Sequence, residues 1–144
     1  MQYKNPTPTA NIIIFDKDRI CLIKRNNEPH KDRIALPGGF VEYDETVEDA
    51  AIREAKEETG LDVELIGILG VYSEPGRNPS KHTISTVFIA KPTSLDLKAN
   101  DEGEPFWESL DTVEKMDLAF DHNKAIKHFL EWRKDNTLTF WSSK

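Results

Sequence analysis

Along the chain the spacing of apolar positions changes period, and each change marks an element. Residues 9–15 (TANIIIF) are a short run rich in β-branched side chains, which predicts a buried strand. Asp16-Lys17-Asp18 supplies a turn, and residues 19–25 (RICLIKR) alternate as the paired strand. Residues 33–36 predict a short strand that stops at Pro37. Residues 62–72 (DVELIGILGVY) read as a strand with glycines where it bends or bulges. A loop at 73–81 (SEPGRNPSK) separates it from a strand at 82–90 (HTISTVFIA). A polar connection at 91–100 leads to an acidic loop, a short strand begins at 105–108, and 110–113 makes a helical turn. The polar residues 1–8, with two prolines, predict a frayed lead-in.

Two stretches carry the helical period instead. At about 100° per residue, Val47, Ala50 and Ala51 share one side of a helix over residues 46–59, and Ile52 and Ala55 widen it. Thr46 is the predicted N-cap, with Asp49 in a loose capping box, and Gly60 suits the position just past the end. Glu54 and Glu58 fall in the middle of the apolar arc, and Glu57 lies at its edge. Carboxylates at this spacing repel one another, and helix C-termini prefer cations. A solvated acidic face bridged by Arg53 and Lys56 accounts for the pattern; so does a site for a hard divalent cation such as Mg²⁺, which takes oxygen ligands. Gly38-Gly39, just after Pro37, predicts a turn, either a plain strand-to-loop turn or one whose backbone closely approaches a metal or phosphate. Asp121 is the predicted N-cap of a last helix over 122–134, whose apolar face comprises Ala125, Ile126, Phe129, Leu130 and Trp132. The aromatics of residues 137–144 are expected to pack back on the domain or to meet a second subunit, so a homodimer is compatible with the sequence.

Composition narrows the classes. The 144 residues fit one domain, 1–144, with 38% hydrophobic and 31% charged residues, as in ordinary globular chains. A net charge of −7 argues against nonspecific binding to a nucleic-acid polymer, but not against a small phosphorylated substrate. Cys21 is the only cysteine, so no disulfide framework exists, and its place in a strand predicts a core residue. No apolar run reaches membrane-spanning length and the N-terminus lacks a signal-peptide core, so a cytoplasmic protein with no membrane partner is expected.

Spacing over the first helix is more specific than its charge. Gly39, five residues, Glu45, seven residues, Arg53-Glu54-Ala55, one residue, Glu57-Glu58, one residue, Gly60-Leu61 resembles the Nudix box, with Ala55 the one soft match. The resemblance implies an α/β fold, the Nudix α/β/α sandwich with a central mixed β-sheet. Strands on both sides of a central helix agree with that. It also implies Mg²⁺-dependent hydrolysis of a nucleoside diphosphate linked to another group, with Mn²⁺ as the alternative ion. Carried over by position, the metal ligands are Glu54, Glu57, Glu58 and the Gly39 carbonyl. Arg53 would orient the carboxylates, while Glu45, Gly38 and Gly60 would support the site. A further glutamate, as general base or extra ligand, is sought in the acidic loop, with Glu102 and Glu104 ranked ahead of Asp101 and an ordinary solvated turn as the competing reading.

Outside the box, residues 36–42, 72–79 and 118–122, with His82 and Ser85, are similar to small prokaryotic ADP-ribose pyrophosphatases. The expected substrate is therefore ADP-ribose or a related ADP-sugar, cleaved to AMP and a sugar phosphate. Glu74, Asn78 and Ser80 depart from that pattern, which has Asp, Asp and Arg there. Arg77 is a candidate phosphate contact or an ordinary loop arginine, Trp107 and Phe40 are candidates for stacking on a base, and Phe88, His82 and His122 read as structural. The alternatives are a nucleoside triphosphate or dinucleotide pyrophosphohydrolase, and a domain that senses a nucleotide without hydrolysing it.

Overall fold

The computed structural model describes residues 3–144. In chain order the elements are β1 (Thr7–Asp16), β2 (Arg19–Arg25), β3 (Ile34–Ala35), β4 (Gly38–Phe40), α1 (Val47–Thr59), β5 (Val63–Tyr72), β6 (Thr83–Pro92), β7 (Gly103–Ser109), α2 (Leu110–Val113), α3 (His122–Lys134) and β8 (Phe140–Trp141).

β1 determines the layering. Successive side chains of a strand point to opposite faces. Ala10, Ile12 and Ile14 pack with Ala50, Ala51 and Ala55 of α1. Ile13 packs with Ala125, Ile126 and Phe129 of α3. Both faces of this strand are covered, which is why its centre reads as a continuous apolar run. The sheet order is β3-β2-β1-β6-β5-β8, with β4 added to β1 and β7 added to β2. β1 and β6 run parallel, as do β5 and β8, while the remaining pairs are antiparallel. The result is a mixed sheet between helices, an α/β/α sandwich.

α1 is delimited by local chemistry. Asp49 N–H donates to Thr46 Oγ1 at 3.0 Å, and Gly60 closes the helix in the left-handed region at φ 80°. β5 carries register shifts between Leu65 and Gly67 and between Ile68 and Gly70, where its glycines fall. Cys21 is a buried core residue whose thiol burial pushes up to about 12.

Several expectations are corrected. Gly38-Gly39 is a strand rather than a turn, with Asn11 opposite Gly38 and Ala10 opposite Gly39. A Cβ on Gly38 would collide with the Ala10 carbonyl and the Asn11 side chain, so only glycine lets β4 lie this close to β1. Ile52 is 41% exposed, because Ala50, Ala51 and Ala55, with Val47 beside them, fill the contact with the sheet. Asp121 precedes α3 but makes no side-chain cap; its carboxylate is taken by Arg77. β6 extends to Pro92, into the expected polar connection, and β7 starts at Gly103, which removes Glu104 from the acidic loop. Thr7 and Pro8 belong to β1 rather than to a lead-in, and Met1 and Gln2 lie outside the described residues. The C-terminal segment packs back on the fold, since β8 pairs in parallel with β5 and buries Phe140.

His122 joins two parts of the chain. Leu36 N–H donates to its Nδ1 at 3.0 Å, and burial pushes the imidazole down to about 3. The fold therefore favours neutral His122 over the unfolded chain, where the ordinary value is about 6.5. Its contribution to stability is present above about 6.5 and is lost as pH falls to about 3, at about 1.4 kcal/mol per pH unit. Urea unfolding across this window should show that slope. His122→Asn keeps an acceptor for Leu36 and does not titrate, so it should lose one proton's worth of slope; an unchanged slope would contradict this.

Candidate active site

The inner face of α1 begins apolar and ends acidic. Glu54 and Glu58 are 7% and 4% exposed, on the same side as Ala50, Ala51 and Ala55. Burying two carboxylates is costly unless each finds donors. Glu58 Oε1 accepts the Gly38 N–H at 2.8 Å, and Glu54 Oε1 accepts Arg53 Nη1 at 2.8 Å. β4 closes over this end of the helix, and a Cβ on Gly39 would stand 2.5 Å from Glu54 Oε1. Glycine at 38 serves the strand pairing, whereas glycine at 39 leaves room for the carboxylate.

Arg53 organises the rim. Its Nε and Nη2 form a fork on Glu45 at 2.7 and 2.9 Å, Nη2 also reaches the Phe40 carbonyl at 3.1 Å, and Nη1 reaches Glu57 at 3.1 Å. Glu45 also accepts the Glu42 N–H at 3.0 Å, and the Arg53 hydrogen bonds hold its carboxyl down at about 2. The pair thus ties α1 to the segment between β4 and the helix start.

Glu102 arrives from the other wall. One carboxylate oxygen each from Glu54, Glu58 and Glu102 lie within 4.8 Å of one another. Asn100 explains the approach: its Nδ2 donates to the Glu58 carbonyl at 2.6 Å, and its Oδ1 accepts the Glu102 N–H at 2.9 Å. From the other side, Asn26 N–H donates to the Glu102 carbonyl at 3.0 Å. Sequence reading missed Asn100, since one asparagine in a polar stretch carries no signal of the helix end it meets.

This cluster has too much negative charge for its burial. Desolvation pushes Glu58 up to about 8, and the nearby Glu54 and Glu102 charges act the same way. Burial raises Glu54 as well, against the pull of Arg53. Three hard oxygen donors in a partly dry cleft suit a divalent cation, whose charge removes the reason for both shifts.

The remaining candidates separate. Glu57 is exposed and bound to Arg53, and Glu104 sits on β7 opposite Lys24; neither joins the three converging carboxylates. Arg77 lines the cleft, but its side chain is 6% exposed and committed to Asp121 at 2.8 and 3.0 Å and to Thr83 at 2.7 Å. Trp107 is away from the cleft lining, with Arg19 4.6 Å over its ring and Nε1 donating to the Leu95 carbonyl at 3.3 Å. Phe40 stands half-exposed on the cleft rim, Phe88 is in the core, and His82 bonds the Ser73 carbonyl. Arg25 was not foreseen. It lines the cleft with Nε on the Pro29 carbonyl at 2.9 Å and its guanidinium 5.1 Å from the Phe120 ring centre. In the sequence it is simply the last residue of an alternating strand.

Comparison with known proteins agrees with this architecture. The NUDIX domain pattern matches residues 5–132. The chain is 47% identical over 131 residues to an ADP-ribose pyrophosphatase of Methanocaldococcus jannaschii, covering 91% of this chain and 77% of that protein. It is 31% identical over 135 residues to an ADPR responsive transcriptional repressor of Acinetobacter baylyi, covering 87% of this chain and 53% of the repressor. Among solved structures, a NUDIX hydrolase from Nitrosomonas europaea superposes with a TM-score of 0.85 at 28% identity, covering 96% of this chain and 78% of that one.

Gly39→Ala tests the packing of β4 on Glu54. The added methyl meets only the end of the Glu54 side chain, which can swing aside, so the variant should lose no more than about 1 kcal/mol in urea unfolding. A loss of several kcal/mol would mean that the carboxylate is locked in place.

Proposed function

The chain belongs to the Nudix family, and on that premise we propose that it hydrolyses the diphosphate of ADP-ribose or a related ADP-sugar, with Mg²⁺ bound, giving AMP and a sugar phosphate. The observation that carries this reading is the convergence of Glu54, Glu58 and Glu102 in one cleft. The activity named for the archaeal relative supports the choice of substrate.

Hydrolases of this family act with divalent ions. Glu54 and Glu58 would hold the ion from the helix, Glu102 from the opposite wall, and the Gly39 carbonyl from the strand between. When bound, such an ion neutralises phosphate oxygens and makes water a better nucleophile. The protein's own groups do the rest. Arg53 fixes Glu54 through one guanidinium nitrogen while its fork on Glu45 prevents it from turning away. Glu57, which the resemblance also gives as a ligand, would add a further carboxylate oxygen, and its partner in the structure is Arg53. Arg25 presents guanidinium N–H groups to the cleft, where they suit a phosphate oxygen and offset charge developing on the leaving group.

A second reading, a domain that senses ADP-ribose, follows from the similarity to the ADPR responsive transcriptional repressor of Acinetobacter baylyi. The two readings part on one assay. With Mg²⁺, the wild type should convert ADP-ribose to AMP. Glu58→Gln should lower kcat by about 100-fold or more, beyond what residues that merely orient ligands usually cost. ADP-ribose that binds and is recovered intact would favour the sensor. Pyrophosphate released from a nucleoside triphosphate, with no ADP-ribose turnover, would move the substrate to the other hydrolase class.

A further inference from the structure

The sheet face that meets α3 changes character along its length. Ile13 on β1, with Val87 and Ile89 on β6, belongs to the apolar core shared with that helix. The same alternation continues along both strands, but the side chains turn polar: Thr9 and Asn11 on β1, Thr83 and Ser85 on β6. Thr9 lies opposite Ser85, and Asn11 opposite Val87. Thr83 and Ser85 are buried and Thr9 is 9% exposed. Valine would suit the strand at the threonine positions just as well. A row of hydroxyl and amide groups here calls for another reason.

Most of the row is internally satisfied. Ser85 Oγ donates to Asn11 Oδ1 at 2.6 Å, and Thr83 Oγ1 accepts from Arg77 Nη1 at 2.7 Å. Asn11 Nδ2 reaches the Pro37 carbonyl only at 3.4 Å. Thr9 Oγ1 is buried and meets no partner among the described residues. An unpaired buried hydroxyl is a destabilising feature that a methyl group would remove. Thr9, Asn11 and Thr83 all line the cleft that holds the three carboxylates. Rotation about the Thr9 χ1 bond carries its hydroxyl from one staggered position to the next.

The position of this floor identifies what it faces. Asn11 is opposite Gly38, whose N–H holds Glu58, and Thr9 lies two residues further along β1, about 7 Å away. That is the reach of a sugar joined directly to a phosphate at the carboxylates. The floor bears no net charge, because Asp121 matches Arg77. Phe40, the register partner of Thr9, gives a half-exposed apolar edge beside it. Uncharged donors and acceptors next to an apolar edge suit vicinal hydroxyls.

We propose that this polar floor binds a pentose of the substrate, and that Thr9 Oγ1 hydrogen-bonds its 2- or 3-hydroxyl. The inference rests on reading the cleft as a nucleotide hydrolase site. It goes further by assigning the neighbouring subsite and the group that discriminates there.

Thr9→Val removes the hydroxyl and keeps the volume, while Thr9→Ser keeps the hydroxyl. Steady-state kinetics with Mg²⁺ would use ADP-ribose and analogues lacking the 2- or 3-hydroxyl of either ribose. For Thr9→Val, KM should rise about three- to tenfold, kcat should change less than about twofold, and the melting temperature should hold or rise. Thr9→Ser should restore the wild-type KM. The wild type should discriminate against one of the analogues, and Thr9→Val should lose that discrimination. The analogue concerned identifies whether the adenosine ribose or the terminal ribose lies on the floor. Unchanged KM in Thr9→Val, or discrimination retained against every analogue, overturns the inference and leaves the hydrolase reading standing. If the wild type ignores ADP-ribose but cleaves nucleoside triphosphates, ATP and its 2′- and 3′-deoxy counterparts run the same comparison. A wild type inactive on all of them overturns both.

Discussion

Two carboxylates buried side by side on the inner face of α1 are the constraint around which the rest is arranged. Glu54 and Glu58 sit where the helix should present apolar side chains, and at the helix end that already carries partial negative charge. Each has one strong donor, Arg53 for the first and the Gly38 N–H for the second. One donor per buried carboxylate does not replace its hydration, and burial accordingly drives both toward the protonated form. The protein tolerates this imbalance because α1 is anchored elsewhere, by its alanine contact with β1 and by caps at both ends.

The surrounding elements supply what the helix lacks. β4 approaches β1 closely enough to place one glycine N–H on Glu58 and one glycine Cα beside Glu54. The turn before β7 is pinned between α1 and the end of β2 by Asn100 and Asn26, which brings Glu102 to the cluster. Arg77 and Asp121 tie the loop before β6 to the start of α3, closing the far side of the cleft. No one of these contacts holds the cluster alone. Together they hold three like charges within a few ångströms, which is the function-over-stability compromise expected of an active site.

What could be read from the chain followed the range of the forces involved. The limits of α1, its inward Glu54 and Glu58, the αL glycine at 60 and most strands depend on near neighbours, and the sequence displays those. Pairing across long separations was invisible. Gly38 and Gly39 became a strand because β1 lies beside them, and Asp121 lost its capping role because Arg77 reaches it from 44 residues away. Arg25 and Asn100 gave no warning for the same reason. Ile52 looked like core because a helical wheel does not record how narrow the contact with the sheet is. Glu102 was within reach of sequence reasoning only through the resemblance, and Glu104 was separated from it by one strand boundary.

Carbon-detected NMR titration of the glutamate carboxyls, without and with saturating Mg²⁺, addresses the buried-charge account most directly. Without the ion, Glu58 should titrate near 8. With the ion bound, it should remain ionised down to or below the ordinary carboxylate value of about 4.3. A Glu58 that titrates in the ordinary range without metal, or whose titration Mg²⁺ leaves in place, would contradict the account.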